Sequence, residues 1–314
     1  MGQRTVIALG GNAISPSSGA GTAEEQTANV WRTMSQVADL VAEGRTELVL
    51  THGNGPQVGN VLIKNDLARE VVPPVPLDWC VAQTQATIGF IIANTLHHEL
   101  ERRGVAQPVV PVVSRVLVER DDPAFLAPSK PIGPYVTDAA EVARHEASGQ
   151  RFSRVGDRGW RRVVPSPEPR VCLDRPAVEL LLDDGAIVVA NGGGGIPVVV
   201  DDGPVRGIEA VIDKDLAGAL LAEELGATVF AILTDVPGVA IDYGTPDERW
   251  LGEVGVDELR RHHAAGQFSA GSMGPKVEAA CRFVERTGGL AVIAALDQAV
   301  GAVHGTTGTR VRRR

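Results

Sequence analysis

The chain has only four lysines among its 30 basic residues, and three of them stand where chemistry would use them. Lys130, Lys214 and Lys276 each sit beside proline or aspartate, whereas Lys64 falls in a polar helical stretch that reads as solvated surface. A lysine ammonium is a compact charge on a flexible stem and suits an oxygen that moves during a reaction. Three apolar runs end in glycine and asparagine: Val6-Ile7-Ala8-Leu9-Gly10-Gly11-Asn12, Leu48-Val49-Leu50-Thr51-His52-Gly53-Asn54, and Ile187-Val188-Val189-Ala190-Asn191-Gly192-Gly193. Such loops let backbone approach a ligand and turn N–H groups toward it. Backbone donors, three lysines and a few aspartates fit phosphoryl transfer, which needs positioning and charge neutralisation more than covalent help. In this reading Gly10, Gly11, Gly53 and Asn54 hold the small anion or the moving phosphate with N–H groups. Lys214 and Lys276 fall at helix starts, where a cation opposes the helix dipole, so a ligand explains them better than helix stability does. Asp215 either orients the lysines or binds Mg²⁺ arriving with ATP, with helix capping as the plainer role.

Other chemistries find no support. The chain has no Gly-x-x-x-x-Gly-Lys-Ser/Thr loop, no Gly-x-Gly-x-x-Gly fingerprint, no His-Glu-x-x-His, no Cys/His metal cluster and no Gly-x-Ser-x-Gly elbow. His97-His98 and His262-His263 read as partly exposed helical surface. A net charge of -9 argues against a nucleic-acid surface, and no apolar run is long enough for a membrane span. No signal-peptide pattern precedes the first strand. Cys80, Cys172 and Cys281, odd in number and without CxxC spacing, read as buried thiols in a reducing cytoplasm.

The elements that must position these groups follow from the pattern. Short runs of aliphatic residues bounded by glycine read as strands buried on both faces, the plan of an open parallel sheet whose strand ends meet at one crevice. After a flexible polar loop from Ser15 to Gly21, Thr22-Ala23-Glu24-Glu25 forms a capping box, and Val30, Met34, Val37, Leu40 and Val41 follow at helical spacing up to Gly44. Pro56 suits the first turn of a helix reaching about Arg69. Asp78 is the expected N-cap of a long helix ending at Gly104, and Val109 to Val118 reads as one strand. From Asp121 to about Pro169 proline, glycine and arginine dominate, with Arg151, Arg154, Arg158, Arg161 and Arg162 making the stretch locally basic. An excursion of this length reads as a lid over an anionic ligand. A helix is expected from Asp174 to Asp184, a hairpin around Asp202-Gly203, and a solvated tail at the closing Arg-Val-Arg-Arg-Arg.

Read together, these motifs resemble carbamate kinases of the amino-acid-kinase superfamily. The resemblance covers nearly the whole chain: Ala8-Leu9-Gly10-Gly11-Asn12-Ala13, Thr51-His52-Gly53-Asn54-Gly55-Pro56, Pro76-Leu77-Asp78, Lys130-Pro131-Ile132-Gly133-Pro134, the segment from Gly159 to Pro167, Gly192 to Pro197, Glu209 to Asp215, and Ser272-Met273-Gly274-Pro275-Lys276. The Lys130 and Gly159 segments belong to carbamate kinases rather than to the superfamily at large. The resemblance implies one α/β domain over 1–314, a three-layer αβα sandwich around an open, mainly parallel eight-stranded sheet, with a protruding lid subdomain at 119–170. It implies a cytoplasmic homodimer that moves phosphate reversibly between ATP and carbamate, with Mg²⁺, giving ADP and carbamoyl phosphate, often toward ATP during arginine breakdown. By position, Lys214 and Lys276 would stabilise the phosphoryl group, Asp215 would organise them, and Lys130 would reach the carbamate end from the lid. Gly10, Gly11, Asn12, Gly53 and Asn54 would cradle the small substrate, and Asp235, Tyr243 and Met273 would lie near the nucleotide. Two positions depart from the resemblance: Asn191 where a smaller residue is expected, and Gly274 where a bulkier one is. Alternatives are a kinase of another small carboxylate or phosphonate, and a non-catalytic nucleotide-binding regulator.

Overall fold

The computed structural model describes residues 3–15, 21–44, 46–201, 203–269 and 271–313. Most of the expected loop between Ser15 and Gly21, the Asp202 turn position and the Asn12 side chain lie outside the described residues.

The largest sheet has eight strands: β1 (Gln3–Leu9), β2 (Thr46–His52), β3 (Val109–Pro111), β4 (Ile187–Val189), β5 (Val229–Thr234), β6 (Glu253–Gly255), β7 (Leu290–Ala295) and β8 (Thr309–Arg312). Their order is β6-β8-β7-β5-β1-β2-β4-β3. Every neighbouring pair from β7 across to β3 is parallel, while β8 runs antiparallel to β7 and parallel to β6. The central strands alternate between two cores, because successive side chains point to opposite faces. Val6 and Ala8 of β1 pack with α5 (Arg175–Asp183), α6 (Lys214–Glu224), α7 (Val256–Ala264) and α8 (Met273–Thr287). Ile7 and Leu9 pack with α1 (Ala23–Ala42), α3 (Leu77–Arg102) and α9 (Ala299–Val303). These are the three layers expected.

The register sets the crevice. Leu9 lies opposite Leu233 on one side and His52 on the other, so Gly10, Gly53 and Thr234 come side by side where β1, β2 and β5 end. The helix signals hold at α1, where Thr22 and Glu25 exchange both capping-box bonds. Pro56 sits in the first turn of α2 (Gly55–Ala68).

Three expectations need correction. Asp78 is not an N-cap: Pro76 holds that place and Asp78 lies in the first turn of α3, where its charge still favours the dipole. The Val109 to Val118 run is two strands, β3 in the large sheet and Arg115–Leu117 in a separate four-stranded sheet. Gln85 of α3 stands at the break, accepting from the Ser114 amide and donating to the Ser114 carbonyl. The basic terminus is not simply a solvated tail, because Arg310 and Arg312 flank a fully buried Val311 within β8.

The four-stranded sheet has the order Arg206–Gly207, Ile196–Val199, Arg115–Leu117, Val171–Cys172. The chain leaves it after Leu117 and rejoins it at Val171. Between those points Lys130–Val136, Trp160–Val164 and Arg151–Arg154 form an antiparallel sheet of their own, accompanied by α4 (Ala139–Ala147). This excursion docks on the body through a small core in which Ile132 and Val164 meet Val58, Leu77 and Val81. At the contact Gly59 of α2 faces Gly133: a Cβ on Gly59 would lie 2.6 Å from the Gly133 Cα.

Candidate active site

Lys214 is the first residue of α6 and Lys276 lies in the first turn of α8. The two helices pack side by side, and the carboxylate of Asp215 joins them. Lys214 Nζ donates to Asp215 Oδ1 at 2.5 Å, and Lys276 Nζ donates to Asp215 Oδ2 at 3.0 Å. Asp215 and Lys276 are buried. Burial alone would raise the Asp215 carboxyl, but the two ammonium groups outweigh it and hold its pKa well below the usual carboxylate range. Burial also opposes the charge on Lys276, yet Asp215 overcomes it and the Lys276 pKa rises. On Lys214 burial prevails, the neighbouring Lys276 adds to it, and its pKa falls despite Asp215.

Asp213 takes the capping role considered for Asp215. Its Oδ1 accepts from the amides of Asp215 at 2.9 Å and Leu216 at 3.4 Å. Its Oδ2 accepts from Lys130 Nζ at 2.5 Å, across the gap between the excursion and the body. All three motif lysines therefore line one cleft of about 190 Å³, together with Gly11, Gly53 and Asn54.

The glycine loops contribute in two ways. Gly10 and Gly53 do not offer free amides as expected: Gly10 N–H donates to Leu233 O at 2.8 Å and Gly53 N–H to Leu9 O at 3.1 Å, extending the strand ladders. Their value is closeness. A Cβ on Gly10 would lie 3.0 Å from Leu233 O, and one on Gly53 would lie 3.1 Å from Lys214 Cδ and 3.2 Å from the Gly11 amide nitrogen. Gly11 opens a short 3-10 turn through Asn12 to Ala13, and Asn54 stands at the N-cap of α2, so both loops turn helical N-termini toward the cleft. The Asn54 side chain is fixed by a 2.9 Å bond to Thr84 Oγ1, and Gly193 packs so closely that a Cβ would fall 2.1 Å from Asn54 Nδ2.

A second cavity, of about 540 Å³, adjoins the first and shares Ser272 with it. Asp235, Tyr243 and Met273 all line it, as do Trp250 and Phe268. Tyr243 stands edge-on to Trp250 with ring centres 6.1 Å apart. A small polar cleft holding three lysines beside a larger chamber with aromatic walls is the layout of a site that takes a small anion and a nucleotide in line.

The amino acid kinase family model matches residues 3–295. The chain belongs to the amino acid kinase family, among its carbamate kinases. It is 52% identical to the carbamate kinase of Thermococcus kodakarensis over 99% of both chains, and 47% identical to that of Pyrococcus furiosus over the same share. A solved carbamate kinase from Giardia lamblia, bound to AMP-PNP, superposes with a TM-score of 0.91 at 37% identity, covering 100% of this chain and 99% of that one.

Within this family frame the two departures have local explanations. Asn191 has φ 52°, a left-handed conformation that asparagine tolerates better than most residues. Its amide donates to Ser114 Oγ, its carbonyl accepts from Thr51 Oγ1 and its Nδ2 donates to Cys172 Sγ, so the side chain is used, not merely accommodated. Gly274 donates to Ser269 O at 2.9 Å, and a Cβ there would lie 3.0 Å from that same oxygen. Sequence reasoning missed Asp213, Gly193 and Trp250 as site residues. Asp213 carried a signal, since an aspartate directly before a helix is a preferred N-cap. Trp250, on a two-residue strand paired with Ala240–Ile241, carried none.

Proposed function

We propose that the chain transfers a phosphoryl group reversibly between ATP and carbamate, giving ADP and carbamoyl phosphate. The observation that carries this reading is the Asp215 bridge, which gathers Lys214 and Lys276 at the junction of the two cavities while Lys130 enters from the excursion. Two ammonium groups converged on a fixed carboxylate need little reorganisation when charge develops on transferred oxygens. In the direction of ATP synthesis, a β-phosphate oxygen of ADP attacks phosphorus, and the bond from phosphorus to the carbamate oxygen breaks. Lys214 and Lys276 neutralise the oxygens in flight, Asp215 keeps the two lysines apart and aimed, and Lys130 meets the carbamate end. Gly11, Asn12 and Asn54 receive the small substrate, with Gly10 and Gly53 providing the room. Asp235, Tyr243 and Met273 receive the nucleotide. Mg²⁺ enters with the nucleotide phosphates, and both cleft aspartates are engaged by lysines.

Residues 119–170 serve as the lid of this site. The working direction is ATP formation from carbamoyl phosphate during arginine breakdown, in the cytoplasm, a setting supported by three buried, unpaired thiols. The assembly is a homodimer, supported by the outward face of α3, where Trp79 is 60% and Phe90 62% exposed.

The test is a coupled assay for ATP from ADP, Mg²⁺ and carbamoyl phosphate, with acetyl phosphate as the comparison donor. Wild-type protein makes ATP from carbamoyl phosphate, and Lys214→Ala lowers kcat by about a thousandfold or more while melting as wild type does. A folded protein that binds ADP but makes no ATP from carbamoyl phosphate defeats the reading.

A further inference from the structure

We propose that Asp213 is a positioning residue that latches the excursion to the catalytic helix by sharing its carboxylate between Lys130 and the first turn of α6. The inference rests on the reading of the site as a phosphoryl-transfer centre. One oxygen, Oδ1, takes the amides of Asp215 and Leu216, while the other, Oδ2, takes the Lys130 ammonium. Lys130 is the first residue of a strand anchored 83 positions away in sequence, and no other acceptor holds its Nζ among the described residues. Asp213 is itself nearly buried, at 8% exposure, and the helix cap fixes its orientation, so the ammonium is held at a defined point of the cleft wall.

The arrangement has a consequence for turnover. Lys130 sits on a long stem at the edge of an excursion that otherwise meets the body through a small apolar core, the Gly59–Gly133 contact, a bond from the Val211 amide to Pro165 O, and ion pairs of Arg120 with Asp201 and of Glu168 with Arg282. Without the latch its charge would be free to wander, and the cost of gathering it would fall on the reaction step. The site also holds three ammonium groups against two carboxylates, and Asp213 supplies one of those two. Asp213 therefore acts through Lys130 and not on the phosphoryl group directly.

Asp213→Asn separates the two duties, because an asparagine oxygen still caps the helix but carries no charge for Lys130. The expected result is a fall in kcat/KM for carbamoyl phosphate of about tenfold, an unchanged KM for ADP and a nearly unchanged melting temperature. In a Lys130→Met background the same substitution then costs less than about threefold. An equal loss in both backgrounds, or no loss in the wild-type background, overturns the proposal. A second measurement does not depend on activity or on the cap. Amide exchange in Lys130–Val136 and Trp160–Val164 is faster in Lys130→Met than in wild type if the latch holds, and unchanged exchange overturns it. Absence of carbamoyl phosphate turnover in the wild type would instead strike the functional reading and leave the exchange result standing.

Discussion

His52 shows how strongly single residues feel this site. Its ring is buried behind Gly192, and its Nδ1–H donates to Gly53 O at 2.9 Å. Burial, assisted by the nearby Lys214 charge, holds its pKa at about 4 although the bond to Gly53 opposes the fall. The folded protein thus resists a proton that the unfolded chain accepts near pH 6.5. Between those values the unfolded state binds more protons, so stability is complete above about pH 6.5 and declines as pH falls toward 4. The expected loss is about 3 kcal/mol. Denaturant melts at pH 7 and pH 4.5 check it: wild type loses stability across the interval more steeply than His52→Gln. An equal slope in both proteins removes His52 as the cause.

At the scale of elements, the contact between α2 and the excursion decides where Lys130 stands. Gly59→Ala makes opposing changes. Alanine favours a helix interior over glycine by about 1 kcal/mol, but the new methyl would press on Gly133 backbone, and overpacking costs about 1–3 kcal/mol. Gly133, at φ 69°, has little freedom to reshape its turn. The strand starting at Lys130 must therefore shift outward. The expected outcome is a melting temperature within a few degrees of wild type and a fall in kcat/KM for carbamoyl phosphate of about tenfold, since small displacements from the reacting geometry are expensive. Steady-state kinetics beside a thermal melt reads both, and full activity would show that the excursion is not positioned at this contact.

For the whole molecule, the exposed face of α3 is where the proposed homodimer can be tested. Trp79, Ala86 and Phe90 line one side of a helix whose opposite side, through Ile88, Ile92 and Leu96, belongs to the core. A surface ring as open as Phe90 contributes little to folding of one chain but much to a shared interface. Phe90→Asp should leave the melting profile of the subunit largely intact and shift sedimentation from dimer to monomer. A wild-type monomer at micromolar concentration would defeat the homodimer, and a variant that stays dimeric would place the interface elsewhere.

Much of this protein was legible from local pattern. The aliphatic runs of β1, β2, β4 and β5, the Thr22–Glu25 capping box and the glycine loops are short-range features, and steric and hydrogen-bonding rules read them without tertiary context. The scarcity of lysine likewise marks Lys130, Lys214 and Lys276, and all three line one cleft. What sequence did not yield were facts about pairing across long separations. The amides of Gly10 and Gly53 are consumed by carbonyls of neighbouring strands, which only the register reveals. The break between β3 and Arg115–Leu117 depends on Gln85 from another element, and the basic terminus became a strand because β6 and β7 flank it. Helix capping at the start of α6 was considered for Asp215 alone, although Asp213 suits that place equally by residue type. The tertiary fold decided between them by bringing Lys276 from α8 to Asp215 and Lys130 from the excursion to Asp213. Charges buried together must find partners, and the sequence names the candidates while only the packed structure assigns each to its own.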